Sequence, residues 1–116
     1  MKTTGFASPA TEYEAPRVSF DRMLRPHPTS TFEFRYKGTD LAEYGIFEGD
    51  MLIIDRSLNL KDGSLAVISS DGSFVCRKVL YSTKWGCFVY QEGSRWCRVT
   101  EAFGCVTYSI HSHISR

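Results

Sequence analysis

The sequence predicts a mostly-β domain of twisted hairpins with little helix. Three observations carry this. Short alternating or apolar runs recur from residue 31 onward, and turn pairs such as Asp71-Gly72 divide them. All four prolines, Pro9, Pro16, Pro26 and Pro28, fall in the first 28 residues. Proline fixes φ and removes a backbone donor, so residues 1–30 are expected to form an irregular arm and 31–116 the β domain. The third observation is the scarcity of helical periodicity. Only Ser19 to Arg25 offers one or two turns, and Pro26 would end them.

The strands follow in order. Thr31 to Tyr36 alternates, and Met51-Leu-Ile-Ile54 reads as a buried run. Ser64 to Ser70 and Ser73 to Leu80 flank the two-residue turn Asp71-Gly72. Trp85 to Tyr90 and Arg95 to Val99 flank Gln91-Glu-Gly-Ser94, which predicts a longer hairpin. Gly104 to Ser112 supplies a last strand, with Val106, Tyr108 and Ile110 expected on one face.

With 116 residues the chain is one domain by length, and at 42% apolar it can bury a core without disulfide or metal staples. Fourteen basic residues against 13 acidic ones argue against a general nucleic-acid binder. No apolar run approaches bilayer length, so no membrane partner is expected. No signal-peptide apolar region opens the chain, which makes the cytoplasm the expected location. Cys76, Cys87, Cys97 and Cys105 are too widely spaced for a C-x-x-C motif and read as reduced, half-buried strand residues. His111 and His113 share a strand face, yet they lack the ligand-pair spacing of a zinc site. Neither metal nor cofactor is expected. Asp50, Asp55, Glu43 and Glu48 lie in a strand-and-turn segment without calcium-loop spacing, and turn chemistry accounts for them better. Lys84-Trp85, Arg95-Trp96 and Arg98 interleave basic and aromatic residues. A base-stacking groove is one reading; a decorated outer sheet face or dimer surface is the other. Sequence-specific nucleic-acid contact is not expected.

One stretch carries more. Residues 38–55 contain Gly38-Thr-Asp-Leu41, Gly45-Ile46, Gly49-Asp50 and Ile54-Asp55 in one order. Upstream lie Gly5-Phe-Ala-Ser-Pro-Ala10, Tyr13 and His27-Pro28; downstream lies Asp71-Gly72-x-Phe74. Together, from about Gly5 to Leu80, these resemble the LexA and UmuD family of self-cleaving serine peptidases, closest to processed UmuD. The resemblance implies a LexA-like catalytic-domain fold of the β-clip type. It also implies a Ser–Lys dyad, with the Ser position held here by Asp40 and the Lys position by Arg77. A register slip of one residue would put Lys78 there instead. Thr39 is the fallback nucleophile, although an extended segment would point it away from Asp40.

The chemistry of these substitutions is decisive. A dyad needs a hydroxyl to attack a carbonyl and a neutral amine to take its proton. Arg stays protonated in proteins, and an Asp carboxylate is a poor nucleophile toward an amide. The expectation is a pseudo-protease, with Asp40 and Arg77 forming an ion pair in an open cleft rather than a buried one. Only Met1-Lys-Thr-Thr4 precedes the Gly5 segment, so the chain reads as already in the processed form. The resemblance further implies a homodimer, or a heterodimer with a UmuD-like relative. Its partners would be a Y-family DNA polymerase and RecA in the SOS response. Val106, Tyr108 and Ile110 on the final strand are the expected dimer surface, since an edge strand invites pairing. Phe6, Tyr13 and Arg17 are the expected partner-contact residues, since arms often carry binding. Two alternatives stand beside this reading: an active LexA-type serine peptidase, and an inhibitor acting through mixed dimers.

Overall fold

Hydrophobic alternation and tight turns place eight strands in two antiparallel sheets. The computed structural model describes residues 19–114. A helix, α1 (Phe20–Leu24), is capped by the Ser19 hydroxyl, which accepts the Arg22 N–H at 3.2 Å. Pro26 stops it. Strands β1 (Thr31–Arg35), β2 (Met51–Asp55), β3 (Leu65–Ser70), β4 (Ser73–Lys78) and β8 (Ala102–Ile110) form a five-stranded sheet in the order β1-β2-β8-β3-β4. Strands β5 (Leu80–Ser82), β6 (Cys87–Glu92) and β7 (Arg95–Arg98) form a second sheet in sequence order. The mostly-β, LexA-like expectation therefore holds.

The β3–β4 hairpin turns on Asp71 and Gly72, both at positive φ (50° and 82°), the backbone twist a two-residue turn requires. Two neighbouring expectations need correction. Ser73 to Leu80 is not one strand. Val79 breaks it, giving its N–H to the Ser64 carbonyl and accepting from the Gly63 N–H, so Leu80 starts the second sheet. The β6–β7 connection is also tighter than expected, because Glu92 pairs with Arg95 across Gly93 and Ser94 alone. Trp85 lies in the β5–β6 turn, not in a strand.

Two apolar clusters form on opposite faces of β3. Val67 joins Leu52, Ile54, Tyr36, Leu41, Ile46 and Cys76 on one side. Ala66 and Ile68 join Val79 and Tyr90 between the sheets. Burial on both faces explains why Ala66, Val67 and Ile68 are buried in succession although strand side chains alternate. All four cysteines are free and lie in strands; Cys76 and Cys105 are buried and the other two half-buried.

The last strand departs from its expected place. β8 is not an edge: its first half pairs with β3 and most of its length with β2. Only Val106 onward lacks a β3 partner, since β3 pairing stops at Cys105. A register shift between Ile53 and Ile54 adds Thr107 as a bulge. The bulge reverses the side-chain alternation, so Val106 faces the core with Ile54 while Tyr108 and Ile110 face the other way with Ile53 and Met51. The three therefore do not share one face.

Candidate functional site

Asp40 and Arg77, the residues expected at the dyad positions, meet in one cleft. Asp40 follows β1 on a turn held by its own N–H, which donates to the Tyr36 hydroxyl at 3.2 Å. Arg77 is the penultimate residue of β4 and faces the second sheet with Val75 and Val79. Its Nη2 lies 3.6 Å from Asp40 Oδ2. The guanidinium is held more firmly elsewhere. Its Nε and Nη2 donate to the two Glu92 carboxylate oxygens at 3.1 Å each, and Nη1 donates to the Cys76 carbonyl at 2.9 Å. This planar, bidentate match is the arrangement a guanidinium forms best with a carboxylate. Burial works against the charge on Arg77, but Glu92 outweighs it and raises the pKa. Glu92 is lowered in turn by the Arg77 hydrogen bonds.

The cleft, of about 420 Å³, is lined by Asp40, Tyr44, Arg77, Lys78, Glu92 and Trp96 among others. Lys78 places its ammonium 4.9 Å from the centre of the Tyr44 ring, a cation–π contact. Thr39 is exposed and does not line the cleft. Among the described residues no Ser, Thr, Cys or His lines it. The Cys76 thiol lies in the adjoining groove beside Tyr36, where burial pushes its pKa up to about 11. At neutral pH it stays a thiol, not a nucleophilic thiolate.

Two further clusters bracket β2. Asp55, almost fully buried, accepts from the Ser57 N–H (2.9 Å) and hydroxyl (2.6 Å) and pairs with His27 Nδ1 at 2.7 Å. Asp50, equally buried, accepts the Phe47 N–H at 2.8 Å and pairs with His111 Nδ1. The His27 and Ser57 bonds hold the Asp55 carboxyl below its ordinary range. Burial pushes Asp50 upward, but Phe47 and His111 outweigh it and lower its pKa. Turn chemistry thus describes both aspartates, with histidine partners the sequence did not suggest. Among the described residues no group of three or more His, Cys, Asp or Glu gathers as a metal site.

Sequence reasoning placed Asp40 beside Arg77 but missed Glu92, because one unbroken strand to Leu80 would have carried the next hairpin elsewhere. Tyr108 and Ile110 are 41% and 43% exposed, whereas Val106 packs inward. Phe6, Tyr13 and Arg17 lie outside the described residues. Among the described residues no helix is long and apolar enough to cross a membrane.

A family model described as Peptidase S24-like matches residues 1–88. The chain belongs to the Peptidase S24-like family. This is the LexA/UmuD type its motif order resembles. The chain is 32% identical over 78 residues to Protein MucA of Salmonella typhimurium, covering 67% of this chain and 53% of MucA. It is 30% identical over 76 residues to Protein ImpA of Escherichia coli, covering 66% of this chain and 52% of ImpA. The similarity to Protein SamA of Salmonella typhimurium strain LT2 is lower, 24%, but runs over 109 residues, 92% of this chain and 78% of SamA. The chain spans about half the length of MucA and ImpA.

Proposed function

We propose that this chain is a noncatalytic, UmuD-like dimeric accessory protein of the SOS response and translesion DNA synthesis, acting by binding a Y-family polymerase, RecA or both. The observation that carries the noncatalytic part is the Asp40–Arg77–Glu92 arrangement. A guanidinium locked onto the Glu92 carboxylate, with the Asp40 carboxylate 3.6 Å away, supplies neither the hydroxyl nor the neutral amine that amide cleavage needs. The likeness to MucA, ImpA and SamA supports the UmuD-like part. The dimer part is supported by β8. From Val106 to Ile110 its backbone edge has no β3 partner, and Tyr108 and Ile110 expose apolar surface beside it.

The test has two arms. Incubation with a tagged Peptidase S24-like substrate should yield no cleavage, while the Asp40→Ser, Arg77→Lys double variant should acquire some. Cleavage by the natural chain would instead favour the active-peptidase alternative, with Lys78 as the base. An affinity pull-down with and without DNA damage, read by mass spectrometry, addresses the partner. Recovery of a Y-family polymerase or RecA supports the accessory role. Recovery of a UmuD-like relative alone favours an inhibitor acting through mixed dimers.

A further inference from the structure

The second sheet turns a face away from the core, and that face carries two tryptophans. Across β5, β6 and β7 the registered neighbours Leu80, Val89 and Arg98 form one outward row. Leu80 and Val89 make an apolar floor. Trp96 borders it on β7, and Trp85 borders it from the β5–β6 turn, closing a groove of about 340 Å³. Trp85 and Trp96 are 39% and 45% exposed, so each leaves a sizeable part of its ring surface open to solvent.

Two cations border the Trp85 end of this groove, and the nearest carboxylate, Asp62, is held by the Tyr81 N–H at 2.8 Å. Lys84 lines the groove, and the Arg98 guanidinium stacks 5.3 Å from the Trp85 ring centre. Arg95, one residue before Trp96, is exposed on the other face of β7, the side of Cys97, and acts on Glu92 instead. Among the described residues neither Lys84 nor Arg98 forms an ion pair, unlike Arg77, Arg25 and the two paired histidines. Past Trp96 the charges are mixed, because Asp40, Glu43 and Glu92 share the adjoining cleft with Arg77 and Lys78. The cations of the groove itself gather at its Trp85 end.

We propose that this outer face binds single-stranded nucleic acid without sequence preference, bases stacking on Trp85 and Trp96 and phosphates meeting Lys84 and Arg98. Every base has a π-face, so two exposed indoles flanked by cations form a sequence-tolerant stacking platform. An acidic peptide fits less well. A peptide brings a row of amides that need partners. The groove's floor, Leu80 and Val89, offers them no side-chain donor or acceptor. The near-neutral net charge of the whole chain sets the expectation of weak, salt-sensitive binding.

The experiment is fluorescence anisotropy of a short labelled oligo(dT), with tryptophan emission followed in the same titration. Binding should quench tryptophan and weaken as salt rises from about 50 to about 200 mM. Trp96→Ala should weaken binding about tenfold, and Trp96→Phe much less, because a phenyl ring keeps a stacking face. Lys84→Glu changes only an exposed turn residue, so its folding is secure; it should weaken binding and flatten the salt dependence. No binding up to about 100 μM would overturn the proposal. So would equal affinity for a duplex of the same length, or affinity unaltered by Trp96→Ala and Lys84→Glu. Quenching by poly-glutamate but not by oligo(dT) would overturn it in favour of an acidic peptide.

Discussion

Arg77 has two carboxylate neighbours of unequal hold. Glu92 meets it bidentately at 3.1 Å on a half-buried stem, whereas Asp40 stands 3.6 Å off with 59% of its side chain exposed. Exposed pairs contribute little because water screens them and both side chains lose rotamer freedom. Double-mutant cycles to alanine, read by urea unfolding, should give about 1 kcal/mol of coupling for Arg77 with Glu92 and within about 0.5 kcal/mol of zero for Arg77 with Asp40. Equal couplings would mean the Asp40 pair is shielded from water in solution. Asp50 and Asp55 lead to a pH prediction. Their folded pKa values are lowered, so the unfolded chain binds protons first on acidification. Their contribution is complete above the unfolded value of about 3.9 and is lost as pH falls through the depressed folded values. Asp50→Asn and Asp55→Asn should each reduce stability at pH 7 and flatten the acid limb of a stability–pH curve; an unchanged acid slope would contradict the pairing with His111 and His27.

Element-scale behaviour depends on two places where strands depart from regularity. Val79 ends β4 and sends Leu80 into the second sheet, bringing β6, and Glu92 with it, alongside Arg77. At the β8 crossing, Gly104 leaves no space. A Cβ there would lie 2.7 Å from Ile54 Cγ2 and 3.1 Å from the Asp55 carbonyl oxygen. Gly104→Ala should therefore cost about 1–3 kcal/mol by overpacking, measured as a lower denaturant midpoint with unchanged slope. Ile68 is fully buried between the sheets, and Ile68→Ala should cost about 2–5 kcal/mol. Loss of under about 1 kcal/mol would mean that the second sheet does not seal that face.

For the whole molecule, the proposed dimer makes a testable prediction. The proposed contact is the half-edge of β8, where Val106 to Ile110 lacks a β3 partner. Ile110→Asp and Tyr108→Asp place a charge on the exposed side of that edge. Both should shift the sedimentation coefficient to that of a monomer with the fold intact by circular dichroism. Val106→Asp should unfold the chain instead, because Val106 packs into the core. A dimer that survives both exposed substitutions would put the interface elsewhere.

Local signals were enough for the strand content, the Asp71-Gly72 turn and the α1 window ending at Pro26, because periodicity and turn chemistry act within a few residues. Their order also pointed to the family. Pairing across distance was not legible. The bulge at Thr107 reverses the faces of Tyr108 and Ile110 relative to Val106, and no residue letter marks it, since it arises from fitting β8 against β2. β8 became an interior strand because β3 returns to its other side. The partners of Arg77, Asp50 and Asp55 come from 15, 61 and 28 residues away, and the two tryptophans share a groove only because the β6–β7 hairpin folds flat against β5. Alternation states which side chains share a strand face; only the packed sheets decide what that face meets.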